Sequence, residues 1–268
     1  MDTASLLRNF KGYVNTSQLL GEAPIYGLKS FVMGVHSGEN FIGLPNKKLR
    51  LGKLVEQFVF HELASDAFCS ILSENIQIQD GKITIGELDA LLVTDTGAVH
   101  LEIIYKFYLY DPDSGVTELS HWIGPNRNDA LVQKLTKLKE KQLPLLYHKK
   151  TQPLLEKLGL QASDIQQQVL FKAQLFLPLN FSDDAFDQLN PDCVKGFYIH
   201  SADMAQFKAD HFFIPQKMDW IMDPHDAVCW LNYDEFKIEV TVWLKDQRSP
   251  LCWLRTGTTL KKFFVVWW

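Results

Sequence analysis

Four charged side chains, Glu87, Asp89, Glu102 and Lys106, stand inside two otherwise apolar, β-branched and aromatic runs, I-T-I-G-E-L-D-A-L-L-V and A-V-H-L-E-I-I-Y-K-F-Y-L-Y. Burying a carboxylate or an ammonium in a sheet costs roughly several kcal/mol unless the charge is paired or holds a metal. Acids in such runs therefore imply a counter-charge. Side chains alternate along a strand, so Glu87 and Asp89 are expected on one face of the first run, and Glu102 and Lys106 on one face of the second. Two strands presenting acids on a common face, with a lysine beyond them, predict a site for a divalent cation with a cationic assistant.

The surrounding pattern names the elements that must hold these groups. Thr94-Asp95-Thr96-Gly97 joins the two runs as a β-hairpin. A helix is expected from about Arg50, because Leu51, Leu54, Val55, Phe58, Val59, Leu63, Ala67 and Phe68 recur at three- and four-residue steps, with Glu56 beside that stripe. A strand follows at Ile76 to Gln79, then a turn at Asp80-Gly81. Beyond the hairpin, Ile123 to Asp129 reads as a lead-in loop to a helix over about Asn128 to Tyr147, capped by Asn128 or Asp129. Leu131, Leu135, Leu138, Leu143 and Leu146 are its inward face, and Lys134, Lys137, Lys139 and Lys141 surround them. Residues 168–177 form a nearly buried strand ending at Pro178, so the core order is helix, three strands, helix, strand. Further strands are expected at Gly196 to His200, His211 to Ile214, Phe236 to Leu244 and Phe263 to Trp268. The chain thus divides into an N-terminal segment (1–49), a core (50–178) and a β-rich C-terminal extension packed on it (179–268).

Composition excludes several classes. A hydrophobic content of 46% with 12% aromatic residues describes a folded chain rather than a disordered one. No apolar run approaches the roughly 20 residues that span a bilayer, and Met1-Asp2-Thr3-Ala4-Ser5 lacks the basic and apolar segments of a secretory signal. Cys69, Cys193, Cys229 and Cys252 are widely spaced with no C-x-x-C pair, which suits reduced thiols in a cytoplasmic protein. The net charge of −5 argues against nonspecific coating of nucleic acid. Locally, His121 to Lys157 carries eight Lys or Arg against only Asp129, Glu140 and Glu156. There is no G-x-G-x-x-G, Walker A or G-x-S-x-G motif, so dinucleotide, nucleotide-triphosphate and serine-hydrolase readings have no support.

Asp on the middle strand, Glu followed by Lys on the next, and the order helix–strand–strand–strand–helix–strand resemble the PD-(D/E)XK phosphodiesterase superfamily over about residues 50–178. More closely, G-E-L-D, E-I-I-Y-K-F-Y-L and W-I-G-P-N are similar to a bacterial family of unknown function assigned to that superfamily, over most of the chain. The resemblance implies an α/β fold with a restriction-endonuclease-like mixed sheet flanked by helices. It implies Asp89 and Glu102 as ligands of Mg²⁺ or Mn²⁺, Glu56 as the acid of the first helix, and Lys106 as the catalytic lysine. The sequence departs from the pattern at one place. Ile104 occupies the usual lysine position, and Lys106 is rooted about 13 Å along the strand from Glu102 rather than about 7 Å. Either a bulge closes that gap, or Lys134 from the following helix supplies the cation.

The expected function is divalent-metal-dependent hydrolysis of phosphodiester bonds in DNA or RNA, with Lys134, Lys137 and Asn126 as nucleic-acid contacts and no membrane partner. The alternative is a catalytically silent nuclease-like fold that binds nucleic acid or protein, which Ile104 favours. Each residue also has a purely structural reading. Asp89, Glu102 and Lys106 can form a buried ionic network, the lysines a solvated helix face, and His61, His100 and His121 polar packing.

Overall fold

The computed structural model describes residues 2–21, 23–34, 41, 49–67, 69–181 and 186–268. Phe68 and most of positions 35–48 lie outside the described residues. The hairpin pattern folds as expected: β1 (Cys69–Asp80), β2 (Ile83–Thr94) and β3 (Gly97–Tyr110) run antiparallel. β1 is much longer than its apolar stretch suggests, because it is an edge strand with a largely exposed polar face. β4 (Trp122–Ile123) pairs the end of β3, and β5 (Gln166–Pro178) lies parallel to β3.

The C-terminal strands extend the same sheet. β6 (Val194–His200) pairs β5, and β9 (Thr259–Val266) pairs β6, both in parallel. β8 (Leu251–Thr256) and β7 (His211–Phe213) then add antiparallel. The resulting order is β1-β2-β3-β5-β6-β9-β8-β7, a mixed nine-stranded sheet in an α/β fold.

Helices cover both faces. α1 (Thr3–Val14), started by Asp2 accepting from Ser5 N, and α2 (Leu51–Ser65) bury Phe10, Tyr13, Phe58 and Val59 against Ala90, Leu92, Leu101 and Ile103. The opposite face is covered by α3 (Leu131–Lys137), a π-helical turn at Leu138–Gln142 and a 3-10 turn at Leu143–Tyr147, with α4 (Gln152–Lys157) beyond. Leu131, Leu135 and Leu138 pack there on Ile104, Phe171 and Ala173.

Three expectations need correction. The helix expected over Asn128–Tyr147 starts later and changes pitch twice, and neither Asn128 nor Asp129 caps it, since the N-cap is Ala130. Asp129 is instead drawn to Lys106. Phe236–Leu244 is not a strand but part of α5 (Tyr233–Lys245), nucleated by a reciprocal Asn232–Glu235 capping box. α1 has no counterpart in the sequence reading. It lies so close to the chain at Ile221 that a Cβ on Gly12 would come within 2.3 Å of Ile221 O. Gly12→Ala is therefore expected to cost roughly 1–3 kcal/mol through overpacking, measured as a lowered denaturation midpoint.

Candidate functional site

The β2–β3 ladder ends at Ala90 opposite Leu101. Beyond that point β2 pairs β1 while β3 runs alongside β5, so the two strands part where Asp89 and Glu102 stand. Alternation along β2 breaks at the same place. Glu87 reaches Lys53 of α2, Leu88 packs on Leu145 beyond the opposite face, and Ala90 is back on the α2 side. In the neighbouring strand Asn75, skipped by the ladder between Glu74 and Ile76, has a left-handed φ of 53°. This irregularity turns Asp89 sideways into the gap, where its Oδ2 accepts from Ile103 N at 2.8 Å.

The acids converge on this fork from both faces rather than sharing one, which corrects the strict alternation expected for Glu87 and Asp89. Val99, Leu101 and Ile103 face α2, so Glu102 faces the α3 side, where it is fully buried. Glu102 Oε2 accepts from Gln142 Nε2 at 2.5 Å, and its Oε1 lies 3.2 Å from His100 Nε2. From the α2 face, Lys53 Nζ bonds Glu56 at 2.7 Å, Glu87 at 2.5 Å and Asn75 Oδ1 at 2.7 Å. Among the described residues, no lysine or arginine forms an ion pair with Asp89 or Glu102.

The electrostatics follow from that crowding. Burial and the adjoining Glu102 carboxylate push the Asp89 carboxyl up to about 7. Burial also raises Glu56, against the pull of the Lys53 ammonium. At Lys53 burial acts downward, but the bonds to Glu56 and Glu87 outweigh it and hold the ammonium above its ordinary value.

The two candidate lysines are placed differently. Lys106 points to the α3 side, as its parity with Glu102 predicts, but its Nζ is held by Asp129 Oδ2 at 2.5 Å. Lys134 is the cation nearer the acids. Burial pulls it down to about 8, opposed by the fields of Glu102 and Asp89. Its Nζ donates to Gln142 Oε1 at 2.7 Å, and Gln142 in turn donates to Glu102. The π-helical turn delivers Gln142 to this relay, a common place for such a distortion. Lys137 is exposed on α3, and Asn126 Oδ1 fixes its loop by accepting from Ser249 N at 2.8 Å.

Lys53, Gln142 and Asn75 are absent from the sequence reading. Only Lys53, one helical turn before Glu56, carries a signal that spacing alone reveals. Among the described residues, no three His, Cys, Asp or Glu side chains form a ready metal cage. Asp89 and Glu102 would offer carboxylate oxygens, and two such ligands with water completing the shell suit Mg²⁺ or Mn²⁺ rather than zinc. All four cysteines are free thiols. Among the described residues, no helix is long and apolar enough to cross a membrane.

A family model described as a domain of unknown function, DUF1853, matches residues 39–266. No curated protein and no solved structure matches the chain.

Proposed function

The chain belongs to the DUF1853 family, and from that premise and the acid fork we propose that it is a divalent-metal-dependent nuclease. The observation that carries this reading is the meeting of buried Glu102 and half-buried Asp89 at the parting of β2 and β3, with no lysine or arginine paired to either carboxylate among the described residues and only His100 beside Glu102. Two crowded acids without a lysine or arginine are costly to keep ionised, and a cation taken up for chemistry explains them. The resemblance of G-E-L-D and E-I-I-Y-K to the PD-(D/E)XK superfamily supplies the reaction class.

In this reading Asp89 and Glu102 hold Mg²⁺ or Mn²⁺, with Glu56 as an accessory acid. When bound, the cation supplies a polarised phosphate oxygen and a water of lowered pKa. Lys134 stabilises the negative charge that builds on the phosphoryl oxygens. Gln142 and His100 hold the Glu102 carboxylate at a fixed angle, as hydrogen-bonded supports do for metal ligands. Lys106, Lys137 and the loop of Asn126 meet the nucleic-acid backbone.

A second reading, a silent nucleic-acid- or protein-binding fold, is favoured by two observations. Lys53 already pairs with both Glu56 and Glu87, and Ile104 is packed into the core at the usual lysine position. The test is incubation with Mn²⁺ and labelled single-stranded, duplex and branched oligonucleotides. Cleavage of at least one, abolished by chelation, is expected. No cleavage of any of them replaces the enzyme with the silent fold.

Metal uptake should depend on pH with a definite sign. Asp89 must be ionised to ligate, so protons compete with the metal below about 7. Mn²⁺ affinity measured by calorimetry is expected to climb up to about tenfold per pH unit below that point and to level off above it. A flat profile would remove Asp89 from the ligand set.

A further inference from the structure

Beside the fork lies a groove of about 820 Å³ with its own chemistry. Its floor is aromatic: half-buried Tyr105 and the small exposed parts of Phe107 and Trp220, the last two set edge-to-face at 5.5 Å. Its rim carries Arg50, Lys106 and Lys217, against the one acid Asp129, which Lys106 already occupies. Arg50 and Lys217 are exposed and, among the described residues, form no ion pair. The rim therefore holds two positive charges outside any ion pair among the described residues, one of them, Lys217, with its Nζ 5.7 Å from the Trp220 ring centroid.

The groove adjoins the acids along two elements. Lys106 shares β3 with Glu102, about 13 Å further along at four residues. Leu51 and Gly52, in the groove wall, open the helix that carries Lys53 and Glu56. A ligand lying in the groove thus runs toward the fork.

We propose that this groove seats an unpaired segment of nucleic acid, its phosphates on Arg50 and Lys217 and its bases on the aromatic floor. The inference rests on the reading of the fork as a place of phosphodiester hydrolysis, and it adds the substrate class. A duplex hides its base faces in the stack and leaves nothing for an apolar floor to cover. Unstacked bases offer those faces, and stacking on aromatic side chains beneath a cationic rim is the general means of holding a single strand. The volume falls within the ordinary range of ligand sites and suits one or two nucleotides rather than a helix.

The test is binding, separate from cleavage. Fluorescence anisotropy with the full chain in chelator compares a labelled single-stranded oligonucleotide with a closed-end duplex of the same sequence. The single strand is expected to bind at least about tenfold tighter. The double variant Arg50→Glu/Lys217→Glu, changed only at exposed positions, is expected to lose about tenfold or more. The salt dependence of that binding should weaken by about 1.4 in log–log slope, the loss of two single-strand phosphate contacts. Lys139→Glu, exposed but outside the groove, is the control and should bind as wild type does. Equal affinity for the closed duplex, or a double variant no weaker than the control, overturns the proposal. Groove-dependent binding without any Mn²⁺ cleavage leaves this site standing and removes the nuclease reading. Cleavage that the double variant leaves unchanged does the reverse.

Discussion

Asp89→Asn is expected to cleave roughly 10²–10³-fold more slowly or worse, the scale of losing one preorganised electrostatic group, and yet to unfold later than the wild type at pH 8. The two effects share one cause. In the folded chain the Asp89 carboxyl is lifted from its ordinary 3.8 to about 7 by burial and by Glu102. The folded state therefore holds a proton that the unfolded state has released between about pH 3.8 and about pH 7. Stability falls as pH rises through that window, because folding then forces ionisation of a crowded acid. At about 1.4 kcal/mol per unit the full shift sets an upper bound near 4 kcal/mol, and the sharing of charge with Glu102 reduces the expected gain to about 1–3 kcal/mol. Asparagine keeps the oxygen that accepts from Ile103 N and cannot ionise. Thermal unfolding at pH 4 and pH 8 checks this. The variant should match the wild type at pH 4, exceed it at pH 8, and lose the stabilisation by Mn²⁺ that mass action gives the wild type. A variant less stable at both pH values would make Asp89 a structural acid.

That trade of stability for a charged site explains why the acids are the most legible part of the sequence. Glu87, Asp89 and Glu102 stand out because strand alternation and the Thr94–Gly97 turn are local, and a charge in an apolar strand is conspicuous. The fork is not local. It depends on Asn75 entering a left-handed conformation in β1, which asparagine tolerates without announcing it. The ladder then stops at Ala90–Leu101, and a carboxylate replaces the next inter-strand bond. Similar physics separates the elements that were readable from those that were not. F-K-I-E-V-T-V-W-L alternates its β-branched residues and reads as a strand, yet the Asn232–Glu235 capping box starts a helix that buries Phe236 and Val240, one turn apart. Ile238 and Val242, the residues that make the alternation, are left 71% and 60% exposed. In α1 the buried stripe of Leu6, Phe10 and Tyr13 is diluted by buried Asn9, which donates to Asp219 Oδ1 at 3.1 Å, and by Gly12, which the close approach of Ile221 explains.

Which lysine serves the fork is also a tertiary matter, and it gives the second large effect. Lys134→Met is expected to lower kcat roughly 10²-fold or more, as loss of one charge-stabilising donor does, with KM little changed. Lys106→Met should act mainly on KM, because that ammonium is engaged by Asp129 and lines the groove rather than the fork. The pH profile separates the roles more sharply than the rates. Lys134 must be protonated to stabilise charge, and burial brings it down to about 8, so activity should fall as pH rises through that value. Asp89 must be ionised, so activity should rise through about 7. The wild type is thus expected to show a narrow bell. Lys134→Arg keeps a cation that does not deprotonate in this range, and it should retain measurable activity while losing the alkaline limb. If the limb persists in Lys134→Arg, or if Lys106→Met gives the larger loss in kcat, the ammonium at the reaction belongs to Lys106. Asp129 would then have to release it when substrate binds.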